Sequence, residues 1–238
     1  QELWVKYVWN LYDIMARLRA KHPKLELESC SGGGGRIDLG VMRYVDEFWT
    51  SDNTEAFDRL RIQEGYSEAY TAKYMSAWVT DVPNQNGRNT SLTYRFLVAM
   101  QGALGIGANL NKWSAEDTQT ATQMIALDKR IRTTVQFGNL YRLLSPRTND
   151  TTANEYVAQD GKEAVLFAFR HSQEYSTPPP LIHLQGLDGR GVYRLDTIDA
   201  KLKTKERELS GAYLMENGLQ LELNGDFDST AVVLHRIN

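Results

Sequence analysis

A run of four glycines and a carboxylate that follows it are the parts of this sequence best suited to do chemistry. The glycines lie in the segment ESCSGGGGRID at residues 28–38, and the carboxylate, Asp52, lies in WTSDNT at residues 49–54. Successive glycines remove side chains from the backbone, so its amides can come close to a ligand. A carboxylic acid beside an aromatic ring such as Trp49 can keep its proton near neutral pH. The two segments together predict half of an active site.

The glycine run has a competing interpretation as a phosphate-binding loop. Neither GxGxxG nor GxxxxGK(S/T) fits the spacing, because Ile37 and Asp38 occupy the places of needed glycines. A nucleotide-binding α/β domain stays open as an alternative, which titration with nucleotides decides. A flexible turn is the plain structural alternative, but a turn at a strand end rarely needs four glycines. We therefore favour close approach of the backbone to a ligand.

Nucleophilic catalysis by the residues before the glycines is disfavoured. A serine nucleophile, Ser29 or Ser31, needs a histidine base, and His22 is the last histidine of the predicted α/β part. Cys30 as a catalytic thiolate likewise lacks a histidine or asparagine partner. We expect the Cys30 thiol to line the pocket instead.

Asp52 has both a structural and a chemical interpretation. An aspartate just before a predicted helix can accept hydrogen bonds from the first backbone amides, although Thr54 is the predicted N-cap. The neighbours favour chemistry, because Trp49 offers an apolar ring to a sugar face and Asn53 offers a hydrogen-bond donor. Strand-end carboxylates of an α/β barrel also face its catalytic mouth.

Composition and charge exclude several classes of protein. The 238 residues are 42% apolar and 24% charged, which is typical of a globular protein. The net charge of −3 provides no basic field for nucleic acid. No stretch approaches the roughly 18 consecutive apolar residues of a membrane span. We expect neither nucleic acid nor a membrane as a partner.

Cysteine, histidine and the start of the chain give further expectations. One cysteine cannot form an internal disulfide, and four scattered histidines do not have the spacing of a zinc site. The chain begins at Gln1 without the pattern of a secretory signal. We interpret this start as an artificial or proteolytic cut and expect a cytoplasmic protein.

The apolar pattern divides the chain at about residue 138. Apolar residues spaced three and four apart predict a helix at 2–20. Predicted strands, loops and helices then alternate up to residue 137. A closed (β/α)8 TIM barrel takes about 250 residues and eight strands, and residues 1–137 have room for only about four. If residues 1–137 belong to a barrel, they form its second half and the first half is missing. Residues 138–238 are predicted to form a C-terminal antiparallel β-sandwich from strands at 139–144, 154–159, 164–170, 181–187, 192–196, 219–223 and 231–236.

These segments also carry a family resemblance. SCSGGGGRID at 29–38, WTSDNTEA at 49–56 and RLxIQxG at 59–65 resemble the α-galactosidases of glycoside hydrolase family 36. The resemblance implies retaining hydrolysis of terminal α-1,6-linked galactose, as in melibiose and raffinose, by two carboxylates. It implies no metal or organic cofactor, and galactose-containing oligosaccharides as ligands. It also implies a barrel followed by a β-sandwich, and we expect the full-length protein to be a homo-oligomer.

The resemblance assigns roles residue by residue. Asp52 matches the position of the family's general acid/base. Cys30 and Gly32 match positions that contact the galactose, through the thiol and a backbone amide. Trp49 and Asn53 are our own additions to the predicted sugar contacts.

The second carboxylate of the reaction has no counterpart in this sequence. The family's nucleophile is an aspartate in a Lys-Trp-Asp-like motif, which is missing here. Retaining hydrolysis needs that carboxylate about 5–5.5 Å from the first. Glu28, Asp38 and Asp58 do not match its position, and Asp38 with Arg36 is predicted to brace the glycine loop. We therefore expect the nucleophile to precede Gln1.

Two alternatives and two departures complete the prediction. The isolated fragment is alternatively an inactive remnant of a sugar site, or its parent is a related α-N-acetylgalactosaminidase or galactosyl transferase. Trp78 stands where many family members carry histidine, and GANL at 107–110 replaces a commoner acidic pattern. Both departures leave the preferred substrate length open.

Overall fold

The structure is a computed structural model that describes residues 2–238, and Gln1 lies outside the described residues. The first part alternates helices and strands: α1 (Glu2–Lys21), β1 (Glu28–Ser29), β2 (Glu47–Trp49), α2 (Ala56–Ser67), β3 (Met75–Thr80), α3 (Leu92–Ala99), β4 (Ala103–Gly107) and α4 (Ala115–Phe137). The four strands form a parallel sheet in the order β1-β2-β3-β4. The predicted α/β character and the helix predicted at 2–20 are confirmed.

One face of the parallel sheet packs on helices and the other does not. Side chains alternate along β3, and Ala77 and Val79 are buried among apolar residues of α2, α3 and α4. On the opposite face Trp78 is 43% exposed. Ser114 is the N-cap of α4 and forms a capping box with Asp117. The sheet therefore has one covered face and one open face in residues 2–238.

The second part of the chain is a six-stranded antiparallel sheet with the strand order β5-β6-β7-β10-β8-β9. The sheet type changes between Phe137, where α4 ends, and Asn139, where β5 begins. Its elements are β5 (Asn139–Leu144), β6 (Thr151–Val157), β7 (Glu163–Arg170), β8 (Val192–Ile198), β9 (Thr204–Ser210), α5 (Gly211–Glu216) and β10 (Asp228–Arg236).

The predicted β-sandwich is corrected by this topology. Within residues 2–238 the antiparallel strands form one sheet, and the strands predicted at 181–187 and 219–223 contribute only an isolated bridge between Ile182 and Leu219. Strand β9, TKERELS, was not predicted, because a charged strand at the sheet edge lacks apolar alternation. The strands predicted at 139–144, 154–159, 164–170, 192–196 and 231–236 correspond to β5, β6, β7, β8 and β10 and are confirmed.

The central strands of this sheet are apolar on both faces because both are covered. Phe167 and Phe169 of β7 share a core with α3 and α4, so the two sheets of the chain are joined by one apolar cluster. Leu166, on the other face, packs under Leu184 and Leu221 of the irregular segment that follows. A strand buried on both faces shows a continuous apolar run rather than alternation.

Helix α1 differs from the other long helix, α4, in having no buried residue. Its exposed apolar side chains include Leu3, Trp4, Tyr7 and Trp9. Only Tyr12 and Met15 pack against the small cluster that contains Phe48. None of the helices in residues 2–238 combines the length and apolar character that a membrane crossing requires.

Candidate functional site

The glycine loop and the Asp52 loop meet at the carboxyl ends of β1 and β2, which are parallel neighbours. A Cβ on Gly33, whose φ is +81°, would lie 3.0 Å from the Ser51 Cα and 3.1 Å from the Asp52 nitrogen. A Cβ on Gly34 would lie 2.7 Å from the Thr50 carbonyl oxygen. Both positions therefore exclude a side chain, because it would separate the two loops. The predicted juxtaposition of the two segments is confirmed.

The glycines differ in what they approach. Gly33 and Gly34 contact protein backbone, which corrects the expectation that the whole run approaches a ligand. Gly32 has a φ of +56° and open space within 4 Å of the position of a Cβ. Cys30 is exposed two residues earlier. Room for a ligand therefore exists at Gly32 and Cys30, while the next two glycines fix the loop in place.

Asp52 is exposed and is oriented by a tryptophan. The Trp49 Nε1 donates a hydrogen bond of 2.9 Å to the Asp52 Oδ1. No hydrogen bond from residues 2–238 reaches Oδ2, so that oxygen is available to carry and transfer a proton. Trp49 is only 9% exposed. The centroid of its ring lies 4.6 Å from that of Trp78 and 5.8 Å from the Arg59 guanidinium. Trp49 is thus a fixed donor to Asp52, with little ring surface left for a sugar.

The helix that follows does not use Asp52 as a cap. Its N-cap is Glu55, whose carboxylate accepts hydrogen bonds from the Phe57 nitrogen at 3.1 Å and the Asp58 nitrogen at 2.8 Å. The predicted cap at Thr54 is therefore wrong, and the capping interpretation of Asp52 is wrong as well. Glu55, one residue after Thr54, accepts from the amides of the second and third helical residues, as an N-cap does. Asp52 keeps no structural task at the helix start.

Asn53 fixes the loop between Asp52 and the helix. Its Oδ1 accepts from the Glu55 nitrogen at 3.0 Å, and its Nδ2 donates to the Asp58 Oδ2 at 2.8 Å. Its backbone nitrogen donates to the Ser51 Oγ at 3.1 Å. Both ends of the carboxamide are engaged within the loop. One amide hydrogen remains for the predicted contact with a sugar.

A cavity of about 360 Å³ adjoins Asp52 and is lined by carboxylates and carboxamides, namely Asp52, Asn53, Thr54, Glu55, Asp58, Asn84, Gln85 and Asn86. Two of these carboxylates are already bound. Glu55 caps α2 and is ion-paired with Arg88, and Asp58 binds Asn53 and lies 3.7 Å from Arg88. Neither is therefore a free partner for Asp52.

Asp38, another carboxylate considered from sequence, also has structural partners. Asp38 accepts hydrogen bonds from the Tyr12 hydroxyl at 2.6 Å and from the Gly40 and Val41 nitrogens. Arg36 donates to the Tyr7 hydroxyl at 3.2 Å. Both side chains brace the glycine loop against α1, which confirms that prediction. In the described part of the chain, no group of three His, Cys, Asp or Glu side chains could hold a metal ion.

Comparisons with known proteins decide the family. The family model described as Melibiase matches residues 1–138, and that described as glycosyl hydrolase family 36 C-terminal domain matches residues 151–234. The chain belongs to the melibiases of glycosyl hydrolase family 36. The family predicted from the glycine loop and the Asp52 loop is confirmed.

Relatives of this melibiase chain are named α-galactosidases. It is 37% identical over 232 residues to alpha-galactosidase 2 of Hypocrea jecorina, covering 97% of this chain and 30% of the relative. It is 41% identical over 192 residues to alpha-galactosidase AgaA of Geobacillus stearothermophilus, covering 80% of this chain and 26% of the relative.

Solved structures of α-galactosidases also superpose on this chain. The alpha-galactosidase from Lactobacillus brevis superposes with a TM-score of 0.90 and 32% identity, covering 100% of this chain and 32% of that one. AgaB from Geobacillus stearothermophilus superposes with a TM-score of 0.88 and 38% identity, covering 95% and 31%. The chain thus spans about a third of the length of the proteins that it matches.

Two residues that hold the site of this melibiase chain were missed from its sequence. Arg59 is buried on α2 and donates to the Ser51 carbonyl at 3.4 Å and the Ser76 carbonyl at 2.8 Å, and burial lowers its pKa to about 10. Arg88 holds Glu55 from a separate loop. Both arginines belong to segments that resemble the family, but the resemblance assigns neither of them a role. Their partners lie on other elements, so local spacing does not indicate these contacts.

Proposed function

We propose that this chain is the acid/base-bearing part of a retaining α-galactosidase that releases terminal α-1,6-linked galactose from oligosaccharides such as melibiose and raffinose. The observation that carries the proposal is the exposed Asp52, held at one oxygen by Trp49 and free at the other, beside an open cavity. The named relatives support it, and variants of AgaA have been solved in complex with raffinose and with stachyose.

The parallel sheet supports a place for this chain within a barrel. Its four strands leave one face open, and the chain spans about a third of its relatives. We take β1 to β4 as later strands of a (β/α)8 barrel that the remainder of a longer polypeptide closes. In such a barrel the carboxyl ends of the strands form the catalytic face, which is where Asp52 and the glycine loop lie.

The proposed reaction uses Asp52 twice. Protonated at Oδ2, it gives its proton to the glycosidic oxygen as the bond to the galactose C1 breaks and a carboxylate from elsewhere in the polypeptide bonds to C1. The resulting Asp52 carboxylate then takes a proton from a water molecule, which attacks C1 and releases galactose. The Trp49 hydrogen bond fixes Oδ1 through both steps, so Oδ2 remains the oxygen that moves the proton.

The sugar contacts follow from the open side of the glycine loop. Cys30 and Gly32 lie where a ligand has room, and we assign them to the galactose. Trp49 acts mainly through its N–H on Asp52. Asn53 keeps the loop in place and has one amide hydrogen to offer a sugar hydroxyl.

The role of Asp52 is tested in the full-length enzyme with two substrates that differ in leaving group. We expect Asp52→Asn to lower kcat/KM for melibiose by about 10²–10⁴-fold, the usual contribution of a general acid. The value for 2,4-dinitrophenyl α-galactoside should change little, because that leaving group departs without a proton.

Asp160→Asn is the matched control, since Asp160 is an exposed aspartate in the turn between β6 and β7. Asp160→Asn should leave kcat/KM for both substrates unchanged. If Asp52→Asn lowered both values equally, or left melibiose hydrolysis intact, Asp52 would not be the general acid.

A further inference from the structure

The Arg88 guanidinium lies against two neighbouring aromatic rings where the α/β part of the molecule meets the antiparallel sheet. Phe57 belongs to α2, and Phe227 immediately precedes β10 of the antiparallel sheet. The Arg88 guanidinium lies 4.8 Å from the Phe57 ring centroid and 5.3 Å from that of Phe227. The two rings are 5.9 Å apart at 68°. A guanidinium over aromatic faces is attracted by them and loses orientational freedom.

The same guanidinium forms ion pairs with two carboxylates near Asp52. It is ion-paired with Glu55, which is 3% exposed, and lies 3.7 Å from an oxygen of Asp58. A buried carboxylate without its cation is strongly destabilising, so Glu55 depends on Arg88. Because Glu55 is also the N-cap of α2, Arg88 fixes the point where the Asp52 loop becomes a helix.

Asn53 connects these carboxylates to Asp52. The Glu55 nitrogen donates to the Asn53 Oδ1 at 3.0 Å, and the Asn53 Nδ2 donates to the Asp58 Oδ2 at 2.8 Å. Asn53 is therefore held by the same two residues that Arg88 holds. Asp52 precedes it directly, so a shift of Arg88 has a short path to the Asp52 backbone.

Phe227 adopts an unusual backbone conformation at this contact. Its φ is +56°, which is uncommon for a bulky side chain and persists only where the surroundings hold it. The Tyr94 ring lies 6.2 Å away at 86°, and the neighbouring Asp226 accepts a hydrogen bond of 2.7 Å from the Gln173 nitrogen. The contact with Tyr94 of α3 and the hydrogen bond of Asp226 thus hold the Phe227 ring beside Arg88.

We propose that Arg88 and Phe227 are positioning residues for Asp52, and that the antiparallel sheet takes part in acid/base catalysis through the ring of Phe227. The ring keeps the Arg88 guanidinium on Glu55 and Asp58, and these carboxylates keep Asn53, and with it Asp52, in register with the leaving group. The inference rests on the proposed function of Asp52. It adds that a second sheet, outside the proposed barrel, sets the geometry of proton transfer.

The test compares leaving groups in the full-length enzyme. We expect Phe227→Ala to lower kcat/KM for melibiose by about 10-fold through misplacement of Asp52. The value for 2,4-dinitrophenyl α-galactoside should fall less than about 2-fold, because kcat/KM reports bond cleavage and this bond cleaves without acid assistance. Phe227→Tyr, which keeps an aromatic face, should restore melibiose hydrolysis.

A second variant keeps the proposal testable if Phe227→Ala fails to fold. Arg88→Lys retains the charge for Glu55 but loses the planar guanidinium that stacks on the rings. It should show the same selective loss on melibiose. Combined with Phe227→Ala it should add little, because both changes act on one contact.

Leu202→Ala is the matched control, because Leu202 is also a loop residue of the antiparallel sheet with positive φ, +60°, that packs on the shared core. Leu202 lies beside α4. Leu202→Ala should leave the ratio of the kcat/KM values for the two substrates unchanged. An equal loss on both substrates in Phe227→Ala and Arg88→Lys would overturn the proposal and leave a purely structural contact. Asp52→Asn is measured in parallel, because without its own selective loss the proposed function fails first.

Discussion

Helices α1 and α4 have similar lengths, 20 and 23 residues, but opposite surroundings. Met124, Ile131 and Val135 of α4 are buried in the core that joins the two sheets. Helix α1 has no buried residue, although its apolar spacing is as regular. Amphipathic spacing therefore specifies a helix with an apolar face, but it does not specify whether the same chain covers that face.

The two helices are also attached by different forces. Apolar burial holds α4, whereas α1 is held largely by polar contacts, from Tyr12 to Asp38 and from Arg19 to Asp46. Since burial is the dominant favourable contribution to folding, most of the stability of this chain belongs to the side of α4 and the antiparallel sheet. Three predictions test that division.

The largest expected effect is in the shared core. Phe167 of β7 is fully buried, with the Tyr156 ring 6.0 Å away, and Phe167→Ala should cost about 3–5 kcal/mol. Trp4 of α1 is 73% exposed, and Trp4→Ala should change the free energy of unfolding by less than about 0.5 kcal/mol. Urea denaturation of the chain measures both. Comparable costs would show that α1 contributes to the stability of the fold as much as the buried strand β7 does.

The sequence predicts features that depend on local patterns, but not those that depend on contacts between distant segments. Periodicity predicts α1 and the parallel sheet, and loop spacing predicts that Asp52 and the glycine run share one edge. Periodicity does not predict β9, whose charged side chains face solvent, nor the N-cap, since residues 52–55 offer several side chains able to cap. Contacts between distant segments, such as Arg88 with Phe227, have no local signal at all.

Glu155 of β6 makes the stability of the antiparallel sheet depend on pH. Burial raises its pKa to about 8, its Oε2 accepts from the Gln185 nitrogen at 2.7 Å, and its Oε1 has no hydrogen-bond partner. An unfolded glutamate ionises near pH 4.5, while the folded Glu155 remains protonated up to about pH 8. The contribution of Glu155 to the free energy of unfolding is therefore fully present below pH 4.5 and is lost progressively as the pH rises to about 8.

Glu155→Gln should remove this loss and flatten the stability curve between those pH values, because glutamine is neutral in both states. Chemical denaturation across this pH range measures it. Glu208→Gln, at an exposed position on β9, should leave the curve unchanged. An unaltered slope in Glu155→Gln would mean that this carboxyl ionises normally within the fold.

The smallest effect concerns the polar attachment of α1. Burial acts to raise the pKa of Asp38, but hydrogen bonds from the Tyr12 hydroxyl and from the Val41 and Gly40 nitrogens outweigh it and leave the pKa lowered. The contact therefore stabilises the fold above the ordinary aspartate pKa and is lost as pH falls through the lowered value. Tyr12→Phe should cost about 1 kcal/mol and raise the pKa of Asp38.

Hydrogen exchange of α1 amides measures this change locally. In Tyr12→Phe the amides of α1 should exchange faster, and their protection should disappear at a less acidic pH than in the parent chain. The amides of α4 should keep their protection, because apolar burial holds that helix. If both helices lost protection together, α1 and α4 would belong to one cooperative unit and the polar contacts of α1 would count as part of the common core.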